Sequence, residues 1–331
     1  MSQTLPPTSG GLIALQTPVS EDLSQVENIL RNELRPDVPW MNQLLESSTL
    51  SGGKRMRPTL LLLCGQQLGK LETGHYQLAA AVEMIHVATL VHDDVIDDAD
   101  SRRHQPTVNR KHGTRVSILL GDYLFTHAFS VASRAGSAEA VSILAAASNK
   151  VCEGEMRQNL AQGNLELPQE DYLSIISDKT AELCAATCHL GAFLSGGNEH
   201  ECAGFEKYGR DIGVAFQIID DVLDVVGEQA AVGKTLGTDV ANQKLTLPII
   251  HCRDNLSEVD RTEFVGQLAT GATLDHAKLL NWLQKTDSLR FAQEFAREKV
   301  TQASKFAQSI KASDSATALF NIAEFVLQRT F

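Results

Sequence analysis

"VEMIHVATLVHDDVIDDAD", residues 82–100, reads first as the apolar stripe of a buried helix and then places five aspartates within eight positions. Like charges one turn apart repel and destabilise a helix. Asp93 and Asp97 stack on one helical face, so an apolar helix ends in carboxylates that call for cations. The same D-D-x-x-D spacing returns in "FQIIDDVLDVV" (216–226) as Asp220, Asp221 and Asp224, again inside apolar sequence. One such cluster reads equally well as a solvated helix face. Two with identical spacing, both embedded in core-like sequence, point to metal. Hard carboxylate oxygens suit Mg²⁺, which typically sits between one or two carboxylates and substrate phosphates. A calcium EF-hand is excluded, because its loop glycine and closing glutamate are missing.

If phosphates are the other half of the site, cationic side chains should lie nearby, and four places supply them. "GGKRMRP" (52–58) offers Lys54, Arg55 and Arg57 at a helix start, where backbone N–H groups also favour anions. "SRRHQPT" (101–107) puts Arg102 and Arg103 just past the first acidic cluster. "DKTAEL" (178–183) brings Lys179 and Thr180, and a Gly-punctuated stretch brings Lys234 and Lys244. Each alone is an ordinary surface charge; their placement beside two acidic clusters makes them candidate phosphate ligands.

The rest of the chain reads as almost wholly helical. "SEDLSQVENILRNEL" (20–34) starts with Ser20 as N-cap and an acidic first turn. Helical periodicity then runs through 57–69, 75–98, 114–134, 138–162, 169–194, 203–227, 256–269, 273–285, 289–311 and 315–329, with no alternating β pattern. Residues 227–248 form the one long Gly-punctuated break, and long loops of that kind are usually functional. Residues 1–11, rich in Pro, Ser, Thr and Gly, are expected to be a disordered tail, with one large helical domain over 12–331.

Composition agrees. Hydrophobic residues are 43% of 331 and charged residues 21%, which describes a globular protein with a large core. A net charge of −12 argues against nucleic acid as partner. The six cysteines lack paired zinc spacing; Cys184 and Cys188, with His189, fall in the apolar run "LCAATCHLGAF" and read as reduced core thiols. The first basic residue is Arg31, so no transit or signal peptide is expected, and no apolar run approaches a membrane span. The expectation is a cytoplasmic protein without a stable membrane anchor.

Taken together and in order, "GGKRMRP", "IHVATLVHDDVIDDADSRR", "GDYLF", "KTA", "FQIIDDVLD" and "GKTLGTD" resemble the trans-isoprenyl diphosphate synthases, the head-to-tail polyprenyl synthase family, from about residue 20 to the C-terminus. The resemblance implies an all-α fold, a single large bundle of antiparallel helices around a central cavity, and a homodimer. It implies that the two acidic clusters face each other and hold Mg²⁺, three ions in the family, with Asp93, Asp97, Asp220, Asp221 and Asp224 as metal ligands and Asp94 in the catalytic set. The metals would neutralise charge developing on the diphosphate that leaves an allylic substrate. Isopentenyl diphosphate then attacks the allylic carbocation, and proton loss completes a five-carbon extension; water must be kept out.

Carried over by position, isopentenyl diphosphate would be held by Lys54, Arg57, His86 and Arg103, and the allylic diphosphate by Arg102, Lys179, Lys234 and Lys244, with Thr180 and Gln217 lining the site. Lys179 and Lys234 join the catalytic set. His104 stands where the family commonly has glycine, which alters the turn that positions Arg103. For chain length, the family's gate residues correspond to Thr89 and Ala88, neither aromatic, with Met84 and Ile85 two turns further back. An open gate implies medium-to-long products, octaprenyl to decaprenyl, and Ala88→Phe is expected to shorten them more predictably than Thr89→Phe. Geranylgeranyl diphosphate synthesis is the alternative. A terpene cyclase fits less well, because the second motif is "DDVLD" and "GGKRMRP" provides for a second diphosphate. A non-catalytic subunit conflicts with the intact Asp93, Asp97, Asp220, Lys54 and Arg103.

Overall fold

The structure is a computed structural model that describes residues 14–35, 38–45, 53–102, 105–226, 238–269 and 275–328. The expected tail over 1–11 and the candidates Arg103, His104 and Lys234 lie outside the described residues. Helix dominates throughout, as expected from the periodicity. The chain forms two compact units, each assembled from separated stretches of sequence: 1–148, 183–209 and 306–322 in one, and 149–182, 210–305 and 323–331 in the other.

The first unit is built on the helix Thr73–Ile96, which carries the first acidic cluster at its C-terminal end. Glu72 and His75 exchange side-chain and backbone hydrogen bonds in a capping box, satisfying two otherwise orphaned N–H groups. Leu78 to Val82, Met84, Ile85 and Ala88 are buried, so most of this helix is apolar interior. It packs most extensively against Thr114–Ser133, and also against Met56–Leu68 and Ser20–Glu33. Gly121 of "GDYLF" makes the first of these contacts possible, because a Cβ there would collide with the His92 imidazole. Met56–Leu68 is buried nearly all round, including Leu60 to Leu63 at 0% exposure. Each such leucine contributes about 1.5–3 kcal/mol of burial free energy. Thr114–Ser133 is long and apolar enough to cross a membrane by length and composition, although the sequence was expected to hold no such run; 39% of its most apolar window is buried within the protein.

In the second unit, Leu247–Asn255 packs against Gln169–Ile176, Glu258–Ala269 and His276–Lys285. Phe264 and Trp282 meet edge to face at 5.3 Å. The buried Arg253 guanidinium donates to the carbonyls of Leu165 and Leu167 at 2.8 and 3.0 Å.

Four local expectations change. Ser20 is the first helical residue rather than a cap, because a 3₁₀ turn, Thr17–Val19, runs directly into the helix and leaves Val19 at the N-cap without a side-chain bond. The stretch 169–194 is not one continuous α-helix: Gln169–Ile176 and Glu182–Leu194 are joined by a π turn, Ser177–Ala181. Part of the expected break is helical, as Thr238–Ala241, and a further helix, Leu247–Asn255, begins at its end with Pro248 in the first turn, where a missing N–H costs nothing. A minimal antiparallel ladder pairs Ser101 with Pro106 and Arg102 with Gln105, two residues per strand and too short to leave an alternating signature.

Candidate active site

At 3.6 residues per turn, His86, Thr89, Asp93 and Asp97 share one face of Thr73–Ile96. His86, Thr89 and Asp93 are half-buried and Asp97 is exposed. Asp94 points elsewhere. It is 6% exposed and accepts a hydrogen bond from Arg102 Nε at 2.8 Å. Thr107 secures the hairpin that carries Arg102, donating through its hydroxyl to Ala99 O at 2.7 Å while accepting from Arg110 N–H. Arg102 is thus tied to the middle aspartate of the first cluster.

The chain-length candidates fall on different faces. Met84, Ile85 and Ala88 are at most 1% exposed. Five residues of α-helix turn through about 500°, which leaves Ala88 about 140° away from Asp93. Thr89 lies only about 40° from it and is half-buried.

The cations of "GGKRMRP" separate by role. Lys54 is exposed, and its carbonyl accepts from Gln16 Nε2 at 2.8 Å. Arg55 occupies the N-cap of Met56–Leu68 in the left-handed region (φ 48°) and is buried, paired with Glu27 and with Glu83 at 2.9 Å. Arg57 is half-buried. Burial pushes the Cys184 thiol up, and the charge and hydrogen bond of Arg57 oppose that rise. Arg57 Nε is buried without a hydrogen-bond partner. An orphaned cationic N–H of this kind is costly and fits an anion ligand.

The second acidic cluster repeats the pattern of the first. On Glu199–Val226, Asp220 and Asp224 share a face and are half-buried, whereas Asp221 is 4% exposed. Asp221 accepts from the Tyr172 hydroxyl at 2.5 Å and from Gln217 Nε2 at 2.8 Å. Gln217 Oε1 in turn accepts from Thr180 Oγ1 at 2.9 Å. Asp224 accepts from the Asp239 N–H at 3.2 Å, and the half-buried Lys244 donates its N–H to Asp239 O at 2.8 Å.

Lys179 and Thr180 sit within the π turn, whose closing bond runs from Glu182 N–H to Ser177 O. Such turns are rare and frequently functional. Lys179 Nζ meets Glu155 at 2.5 Å and Gln158 at 2.8 Å, both from Ala138–Ala161. Two glycines clamp the turn. A Cβ on Gly154 would lie 2.9 Å from Lys179 Cα and closer still to its nitrogen, and one on Gly213 would lie 2.5 Å from Ala181 Cα. Neither glycine, nor Tyr172 or Asp239, stands out in the sequence, since each acts on residues distant along the chain.

Burial pushes the Asp221 carboxyl well above the carboxylate range; the charge of Asp239, and then that of Asp220, add to this against the hydrogen bonds from Tyr172 and Gln217. A raised folded-state pKa means that stability is lost as pH rises above the unfolded value of about 3.9. With Mg²⁺ chelated, Asp221→Asn should therefore melt above the parent protein at pH 8 and lose much of that advantage by pH 5. A difference in melting temperature that does not change with pH would remove this account.

The donors fit Mg²⁺. Each acidic helix presents an i, i+4 pair of carboxylates, Asp93 with Asp97 and Asp220 with Asp224. Among the described residues no group of three or more His, Cys, Asp or Glu forms a ready-made metal cage.

The polyprenyl synthetase family profile matches residues 38–280. The chain is 36% identical to a short chain isoprenyl diphosphate synthase of Methanothermobacter thermautotrophicus, over 84% of this chain and 87% of that one. It is 31% identical to the octaprenyl diphosphate synthase of Escherichia coli, over 94% and 96%. Among solved structures, a polyprenyl synthase from Caulobacter crescentus complexed with calcium and isoprenyl diphosphate superposes with a TM-score of 0.91 at 31% identity, covering 97% of this chain and 99% of that one. With an all-α fold, two D-D-x-x-D helices and a profile match across most of its length, the chain belongs to the polyprenyl synthetase family.

Proposed function

We propose that the protein extends an allylic diphosphate with isopentenyl diphosphate to an all-trans polyprenyl diphosphate of medium or long chain. The family is Mg²⁺-dependent and uses these two classes of diphosphate. The observation that carries the reading is the pair of acidic helices, each offering two accessible carboxylates one turn apart, together with the buried, unpartnered Nε of Arg57.

Asp93, Asp97, Asp220 and Asp224 would hold Mg²⁺, three ions in all; Asp221, also expected as a ligand, is instead buried against Tyr172 and Gln217, and Asp94 against Arg102. The bound ions would supply electrostatic stabilisation of the leaving diphosphate. Arg57, Lys54, His86 and Arg103 bind isopentenyl diphosphate, where the planar guanidinium grips phosphate oxygens in pairs. Lys179, Thr180, Lys234, Lys244 and Arg102 serve the allylic partner. The apolar flank of Thr73–Ile96 keeps water from the reacting carbons. The protein works as one catalytic domain over 12–331 and as a homodimer. Leu119, 67% exposed, and Ile118 on Thr114–Ser133 support the homodimer as an apolar contact surface. Six unpaired cysteines support a reducing, cytoplasmic setting, and the charge of −12 supports the absence of a nucleic-acid partner.

The decisive assay is Mg²⁺-dependent incorporation of labelled isopentenyl diphosphate into extractable lipid, with chromatography of the dephosphorylated products. No incorporation with any allylic primer would overturn the reading. Relatives bear both short-chain and octaprenyl names, so product length is the finer question. Thr89 shares the face of Asp93, so Thr89→Phe should remain active and release shorter products. Ala88→Phe should instead overpack the core, at a cost of about 1–3 kcal/mol, with less change in length. Shorter products from Ala88→Phe alone would restore Ala88 as the gate.

A further inference from the structure

We infer that Tyr172 is a positioning residue for the diphosphate-binding π turn, acting through the buried side chains of Asp221, Gln217 and Thr180. The inference rests on the assignment of Lys179 and Thr180 to the allylic diphosphate, and goes beyond it by naming what sets their geometry. The relay is continuous: Tyr172 hydroxyl to Asp221 Oδ2 at 2.5 Å, Gln217 Nε2 to Asp221 Oδ1 at 2.8 Å, and Thr180 Oγ1 to Gln217 Oε1 at 2.9 Å.

Its polarity runs one way at Gln217, whose amide nitrogen donates to Asp221 and whose oxygen accepts from Thr180. The orientation of Asp221 thus selects the Gln217 conformer, and that conformer selects the one at Thr180. Tyr172 fixes Asp221 itself, as the second of its two side-chain donors. The backbone of the turn packs closely against Gly154 and Gly213, and the side-chain relay acts on top of that packing. Two of its members adjoin the chemistry. Thr180 follows Lys179 directly, and Asp221 lies between Asp220 and Asp224. Tyr172 is 49 residues from Asp221, and at 4% exposure it has little surface of its own to offer a ligand.

The test uses the full-length protein with Mg²⁺ and inorganic diphosphate, followed by calorimetry, together with steady-state kinetics. Tyr172→Phe keeps the ring and removes one hydroxyl. It should weaken Mg²⁺-dependent diphosphate binding about tenfold, the scale of one charge-assisted hydrogen bond. KM for the allylic substrate should rise, with KM for isopentenyl diphosphate unchanged. Thr180→Val should do the same, and the double variant should be no worse than either single one, because both break one relay. A merely structural tyrosine would lower the melting temperature and leave both KM values alone, and that result overturns the proposal. Losses that multiply in the double variant overturn it as well. Lys179→Ala separates the two levels. If it leaves diphosphate binding unchanged, the allylic assignment fails and the relay with it. If it weakens binding while Tyr172→Phe does not, the relay alone fails.

Discussion

Asp220→Asn is expected to lower turnover roughly 100- to 1000-fold while leaving the protein at least as stable as its parent. Asparagine keeps the shape of the side chain and removes only its charge. The lost quantity is several kcal/mol of transition-state charge stabilisation, and each 1.36 kcal/mol is a factor of ten in rate. Stability should hold or rise, because Asp220 is one of the charges that already crowd Asp221. Asp93→Asn should behave alike, since Asp93 occupies the equivalent position on the first acidic helix and shares a face with Asp97. Asp221→Asn should cost less turnover, because both of its oxygens are taken by Tyr172 and Gln217. The measurement is turnover against Mg²⁺ concentration, paired with Mg²⁺-dependent binding of inorganic diphosphate. Near-normal turnover of Asp220→Asn at saturating Mg²⁺ would remove the second cluster from the metal site.

That contrast between the middle aspartate and its neighbours shows what was legible in the sequence. Helical spacing places Asp93 with Asp97, and Asp220 with Asp224, yet Asp221 was expected among the metal ligands and Asp94 in the catalytic set; burial sets both aside. The sequence could not say what these carboxylates would meet, because Arg102 folds back on Asp94 from beyond the helix end and Tyr172 reaches Asp221 from 49 residues away. The π turn was illegible for a related reason. A single wider turn changes the local hydrogen bonding by one residue and leaves the apolar pattern of 169–194 intact. Leu247–Asn255 escaped because Leu247, Ile249, Ile250, Cys252 and Arg253 bury it on several sides, so no polar face alternates with an apolar one. Ala88 and Thr89 are adjacent in sequence but lie about 100° apart on the helix, and only burial distinguishes the wall from the surface facing the site.

The second large effect is one of stability. Lys54, Arg55 and Arg57 look equivalent in sequence, yet Arg55 is expected to be the one that holds the fold. Its guanidinium binds Glu27 of Ser20–Glu33 and Glu83 of Thr73–Ile96 while its backbone caps Met56–Leu68, so one side chain ties three helices. Burial lowers the pKa of an isolated guanidinium, and here the bonds and charges of Glu27 and Glu83 more than reverse that, so the cation is held firmly in its charged form. Arg55→Met preserves the bulk of the side chain and the cost of the left-handed backbone. It leaves Glu83, 4% exposed, without its counter-ion. Breaking one side of a buried pair typically costs about 3–5 kcal/mol, and at about 2–4 °C per kcal/mol the melting temperature should fall by roughly 6–20 °C. Adding Glu83→Leu to Arg55→Met should recover part of the loss, because an apolar replacement of both partners leaves no buried charge unpaired. Arg57→Met should show the opposite profile, with a melting temperature near the parent's and isopentenyl diphosphate affinity lower by about 10- to 150-fold, the scale of a lost hydrogen bond to a charged group. Melting curves and steady-state kinetics on the two single variants distinguish the roles. An Arg55→Met protein that melts with the parent, or an Arg57→Met protein equally destabilised, would undo this division between neighbouring cations.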